Sequence, residues 1–138
     1  MRVRYGSEAD RQHIMSIRPQ AASLFEGSDY FLVAEDGGIL GCAVVFRRKI
    51  PAPVEACEAF INLVEVFDQA DMKKGIASQM VQKILEIERD EQTYQVRAYC
   101  DIGNTASHRL WLRNGFGISP VKQPDGVILG SFATYVCK

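Results

Sequence analysis

Met72-Lys73-Lys74-Gly75-Ile76-Ala77 joins an apolar run to an amphipathic one, and the fold is read outward from that junction. The run before it, Ala59-Phe60-Ile61-Asn62-Leu63-Val64-Glu65-Val66-Phe67, is rich in β-branched and aromatic residues and predicts a largely buried strand. The run after it places Ile76, Met80, Ile84 and Ile87 on one helical face, with Ala77, Val81 and Leu85 beside them. Charge along that helix is inverted. Lys73 and Lys74 crowd its start, while Glu86, Glu88, Asp90 and Glu91 crowd its end. A helix macrodipole prefers acids first and bases last, by ~0.3–1 kcal/mol each. An anion docked on the free N–H groups of the first turn, with lysines beside it, reconciles the sequence with that preference. Gly75 and Ala77 carry little side-chain bulk, so a phosphate can approach the backbone closely. The segment reads as strand, anion-binding turn, helix.

Flanking segments supply the remaining elements. Arg2–Tyr5 alternates as a strand, and Ser7 with Asp10 signals the start of a helix that ends near Ile17, before Pro19. A short helix is expected over 20–26. Residues 30–35 and 39–45 read as a hairpin across Asp36-Gly37-Gly38, running through Phe46 into the basic cluster Arg47-Arg48-Lys49. Pro51 and Pro53 mark a loop. Residues 94–100 predict a strand, and 104–113 a helix closed by Asn114-Gly115. Two closing strands, 116–121 and 127–136, flank Pro124-Asp125-Gly126. The order β-α-α-β-β-β-α-β-α-β-β predicts an α/β class (α+β, mixed sheet) with helices on both faces, as one domain over 1–138.

Composition narrows the function. The 138 residues carry a net charge of −1, which argues against nucleic acid as the main partner. No apolar stretch approaches the ~20 residues that span a bilayer, and the first five residues lack a signal segment, so no membrane role and a cytoplasmic address are expected. Cys42, Cys57, Cys100 and Cys137 are widely spaced, and with only His13 and His108 available no metal site is expected.

Two stretches carry a resemblance to the GNAT superfamily of acyl-CoA-dependent N-acyltransferases. The motif Gln/Arg-x-x-Gly-x-Gly/Ala is matched by Met72-Lys73-Lys74-Gly75-Ile76-Ala77. The motif Asn-x-x-Ala/Ser, followed by a helix and Gly-Phe, is matched by Asn104-Thr105-Ala106-Ser107, then Leu110-Trp111, then Asn114-Gly115-Phe116. The resemblance implies the acyl-CoA N-acyltransferase fold with a splayed central sheet. It implies transfer of an acetyl group from acetyl-CoA to a primary amine of a small molecule or peptide, and pairing into a homodimer is also open to it. Coenzyme A's pyrophosphate would lie over Met72, Lys73, Lys74, Gly75, Ile76, Ala77 and Ser78. A backbone N–H at Val66 or Phe67 would hold the thioester oxygen, Asn104 and Ser107 would line the pantetheine arm, and Trp111 would pack near the sulfur.

Two positions depart from the family pattern. Met72 stands where Gln or Arg is usual, at a position that acts largely through its backbone N–H. Trp111 stands where many members use a tyrosine to protonate the departing thiolate, and an indole N–H is no acid near neutral pH. Glu65 is the candidate base, because a carboxylate in an apolar strand needs an explanation; a salt bridge would equally supply one. Tyr99, five positions before Asn104, is the reserve acid. The missing tyrosine keeps a second function open, a non-catalytic acyl-CoA binder or sensor.

Overall fold

The computed structural model describes residues 1–72 and 74–137. Strands β1 (Arg2–Tyr5), β2 (Tyr30–Glu35), β3 (Ile39–Ile50), β4 (Ala56–Val66), β5 (Gln95–Asp101), β6 (Gly117–Lys122) and β7 (Ile128–Val136) alternate with helices α1 (Glu8–Ile17), α2 (Ala22–Phe25), α3 (Ile76–Asp90) and α4 (Thr105–Arg113). Element order follows the expected one. Ser7 and Asp10 form a reciprocal cap that starts α1, and Pro19 opens a 3₁₀ turn leading into α2. The sheet order is β1-β2-β3-β4-β5-β7-β6, antiparallel except for the β4–β5 pair. Pro120 lies on β6, the sheet edge, where a missing N–H costs no ladder bond.

Each face of the sheet carries its own apolar layer. Ile76, Met80, Val81, Ile84 and Leu85 of α3, with Trp111 of α4, pack on Ala43, Val45, Ile61, Val66, Val96, Ala98 and Cys100. On the opposite face Ile14 of α1, Ala21 and Phe25 of α2 pack on Val33, Cys42 and Val44. Burying a full aliphatic side chain contributes about 1.5–3 kcal/mol, so α3 is held chiefly by its apolar stripe.

The inverted charge on α3 has a partly structural cause. Glu88 is fully buried: Tyr30 donates its hydroxyl to it at 2.6 Å, Thr93 donates at 2.8 Å, and Arg47 donates through Nε and Nη2 at 3.1 and 3.0 Å. Burial pushes the carboxyl upward, but those three donors outweigh it and hold it below the usual carboxylate range. Arg48 likewise pairs with Glu58 at 2.8 Å. Two of the three basic residues at the end of β3, Arg47 and Arg48, thus serve buried acids of the same fold.

Two irregularities position the site. Val44 pairs with Leu63 but Val45 pairs with Ile61, so Asn62 forms a bulge in β4. The parallel β4–β5 pairing stops at Ile61–Ala98, while β4 runs on to Val66 and β5 to Asp101. The strands part there, in the middle of the sheet.

Gly41 faces this region from β3. A Cβ on it would collide with the backbone carbonyl oxygen of Glu65 and come within 3.3 Å of Val66 Cα. Backbone cannot swing aside as a side-chain tip can. Gly41→Ala is expected to lower stability by about 1–3 kcal/mol on denaturant titration. Gly38→Ala, with nothing within 4 Å of its Cβ, should shift it by less than about 0.5 kcal/mol.

Candidate active site

The opening between β4 and β5 presents backbone groups with no strand partner. Phe67 donates its N–H to the Leu40 carbonyl at 2.9 Å, so that amide faces β3. Successive residues alternate in direction, so Glu65 also faces β3 while Val64 and Val66 present their amides to the opening. Phe67, expected as an alternative donor to Val66, is committed elsewhere; its carbonyl also accepts from Arg18 Nη2 at 3.1 Å. Val64 was missed in the sequence because the Asn62 bulge, which sets this phase, leaves no compositional mark.

α3 begins beside the end of β4. Gly75 adopts φ 76°, a left-handed turn that favours glycine, and no side chain among the described residues caps the helix. The first helical bond runs from Gln79 N–H to the Gly75 carbonyl at 3.0 Å, so the amides of Ile76, Ala77 and Ser78 precede any intrahelical partner. Met72 differs from expectation: its N–H already donates to the Gln69 carbonyl at 3.3 Å within a 3₁₀ turn. Lys74 pairs with Asp71 at 2.8 Å, which raises its pKa and offsets part of its charge. Lys73 lies outside the described residues. An open cleft of about 260 Å³ at the helix start is lined by Met1, Asp36, Leu40, Asp71, Lys74, Ile76 and Gln79. A second, of about 320 Å³, runs along the outer side of α3 and includes no residue of the β4–β5 opening.

Helix α4 closes the same face. Asn104 caps it by accepting from Ser107 N–H at 3.2 Å, which commits its Oδ1 and leaves its amide nitrogen for other contacts. Ser78 accepts from Asn114 Nδ2 at 3.2 Å, and Asn114 accepts from Gln82 at 2.7 Å, so Asn114 bolts α4 to α3. Sequence pattern marked Asn114 only as a helix stop. Trp111 is 4% exposed, its ring 5.0 Å from Phe116, and its indole Nε1 is buried with no hydrogen-bond partner. It faces the Cys100 thiol, a weak acceptor; burial raises that thiol's pKa and the indole N–H opposes the rise.

The two catalytic candidates lie on the opposite face. Glu65 receives Arg18 Nε at 2.6 Å, so the carboxylate in the apolar strand has a partner, and a structural role accounts for it. Its second oxygen carries no hydrogen bond among the described residues. Tyr99 is 42% exposed and lies across Gly130 of β7, on the side of β5 away from β4, which does not bring its hydroxyl to the opening. Among the described residues no group of three or more His, Cys, Asp or Glu side chains could hold a metal, and no helix is long and apolar enough to cross a membrane.

The model of the acetyltransferase (GNAT) family matches residues 4–116. No curated protein matches the chain in sequence. Among solved structures, smu.2055 from Streptococcus mutans superposes with TM-score 0.78 at 16% identity, covering 100% of both chains. The ribosomal-protein-S18-alanine N-acetyltransferase from Escherichia coli gives TM-score 0.75 at 11% identity, covering 99% of this chain and 94% of its own. NAA60 from Arabidopsis thaliana, in complex with acetyl-CoA, gives 0.74 at 14% identity over 98% of each chain. At such identities these likenesses speak for the fold, and it is the seven-stranded acyl-CoA N-acyltransferase fold. With four-fifths of its length matched by the family model, the chain belongs to the acetyltransferase (GNAT) family.

Proposed function

We propose that residues 1–138 form a single N-acetyltransferase domain that moves an acetyl group from acetyl-CoA to a primary amine by direct attack. One observation carries this reading. The β4–β5 opening, with two unpartnered amides, lies beside a helix start with no cap of its own. A thioester arm can pair along the Val64 and Val66 backbone while a diphosphate meets the amides of Ile76, Ala77 and Ser78. The buried Trp111 N–H, which faces the weakly accepting Cys100 thiol, fits the same ligand as a donor on the α3–α4 face.

Acetyl-CoA supplies an activated acyl carbon and a thiol leaving group. The Val66 amide would donate to the thioester oxygen as charge develops there, an interaction whose loss costs about 2.7–4 kcal/mol in other acyl-transfer enzymes. The amine forms the new C–N bond as the C–S bond breaks and the sulfur leaves as thiolate. A thiol of ordinary pKa near 8.5 needs no proton at that moment, and the Trp111 N–H can hydrogen-bond the sulfur without transferring its own. A lysine-like amine is neutral in fewer than about one molecule in a thousand at pH 7, so a proton must be taken from it. Glu65, with one oxygen held by Arg18 and the other free, would take that proton directly or through water.

Glu65→Gln is expected to lower kcat by about a hundredfold or more at neutral pH. An unchanged kcat, with a lower melting temperature, would make Glu65 a clamp for Arg18. The reading as a whole is tested by calorimetry with coenzyme A and by thiol release over an amine panel. No association with coenzyme A defeats it. Tight association without turnover on any amine makes the chain an acyl-CoA binder or sensor, the reading that Trp111 keeps in view.

A further inference from the structure

The face of the sheet opposite α3 and α4 holds an arginine with no acid beside it among the described residues. Helices α3 and α4 cover one side of the β4–β5 opening, so an amine must enter from the other. There the layer of α1 and α2 covers β2, β3 and the end of β4, and among the described residues its apolar cluster includes none from β5 or β7. What remains uncovered is aromatic. Phe132 of β7 has Phe60 of β4 at 6.4 Å and Tyr99 of β5 at 5.6 Å, both edge-on. Arg97 stacks its guanidinium 4.3 Å from the centre of the Phe132 ring and donates Nε to Thr134 Oγ1 at 3.2 Å.

Arg97 differs from the other arginines of the sheet. Arg2, Arg4, Arg47 and Arg48 each have a carboxylate partner; Arg97 has none among the described residues. The Phe132 ring and the Thr134 hydroxyl hold its guanidinium in place, and its terminal nitrogens make no hydrogen bond among the described residues. An arginine held over an aromatic ring with its fork unfilled can take a bidentate carboxylate. Its place matters too. Arg97 pairs with Phe60 one step before the β4–β5 ladder ends at Ala98, so its backbone borders the opening while its guanidinium lies over β7 on the same uncovered face.

We infer that the acceptor is an amino-acid-like molecule: a primary amine that also carries a carboxylate and an apolar or aromatic side chain. Arg97 receives the carboxylate, and Phe60, Tyr99 and Phe132 take the apolar part. The inference rests on the acetyl-transfer reading above and names the substrate class of that site. Tyr99 on this assignment is a wall of the acceptor site, which accounts for a hydroxyl lying over β7.

L-Phenylalanine and phenethylamine, which differ by the carboxylate alone, test it in calorimetry on the protein loaded with coenzyme A and in turnover with acetyl-CoA. Phenylalanine is expected to bind at least about tenfold more tightly. Arg97→Gln should erase that preference, raising KM for phenylalanine with kcat little changed, and leave coenzyme A affinity and phenethylamine binding as they were. Arg97→Lys, which keeps the charge without the fork, should restore only part of it and serves if the glutamine variant does not fold. Equal binding of the two amines, binding of neither, or a preference that survives both substitutions overturns the inference while leaving acetyl transfer standing. Failure to bind coenzyme A defeats the transfer reading instead, and the same two amines titrated into the free protein then decide the role of Arg97.

Discussion

Glu88→Ala is expected to lower the melting temperature by about 10–15 °C. Its carboxylate is fully buried between α3, β2 and β3 and satisfies Tyr30, Arg47 and Thr93 together. Removing one member of a buried charge pair typically costs about 3–5 kcal/mol, because the partner stays behind without compensation. Arg47 keeps about a third of its side chain in solvent, which places the expected loss near the lower figure, ~3 kcal/mol. In a chain of this length that corresponds to the stated shift in a calorimetric scan. The dependence on pH has a definite sign. The folded-state value of Glu88 lies below its ordinary 4.5, so the folded protein binds its proton less readily than the unfolded chain. The stabilisation is therefore complete above about pH 4.5 and fades as pH falls through the lower folded value. Wild type and Glu88→Gln should differ most near neutrality and converge in acid. A constant gap at every pH would mean that packing, not charge, is what Glu88 contributes.

Ser78→Glu is expected to weaken coenzyme A at least tenfold while leaving the protein as stable as before, or slightly more so. Ser78 lies in the first turn of α3, whose free amides carry the partial positive charge of the helix. An acid there interacts favourably with the macrodipole by about 0.3–1 kcal/mol. The same charge repels a diphosphate on those amides, and 1.4 kcal/mol of repulsion is already a factor of ten in affinity. If α3 simply began at an ordinary junction, the substitution would stabilise the helix and change nothing else. Opposite movements of melting temperature and coenzyme A affinity are thus the signature of an anion site, read by a thermal scan beside a titration. Asn114 retains its bonds to Gln82 and the Leu110 carbonyl in the variant, so the α3–α4 contact survives the loss of the serine hydroxyl.

Much of the frame is local and could be read from residue order. The capping box at Ser7 and Asp10, the turn at Asp36-Gly37-Gly38, the stripe of α3 and the glycine stop after α4 each act within a few residues, so each element appears where the pattern put it. Among the strands, the ends of β3 and β4 moved furthest. β3 runs to Ile50 and β4 starts at Ala56, because pairing with each other carries both strands beyond their apolar stretches.

The site divides differently. Residue order alone indicated a strand followed by an uncapped, glycine-led helix start, and it marked Val66 and Trp111 as residues of interest. Tertiary structure decided which amides face the opening, since one bulged residue at Asn62 sets the phase of every group after it. It also gave Glu65 a partner 47 residues away in Arg18, drew Glu88 into the interior, and left Arg97 without an acid among the described residues. Such pairings join residues far apart in the chain, through strand register and helix placement. No periodicity within a single segment encodes them, because a side chain's charge is local while its partner is not.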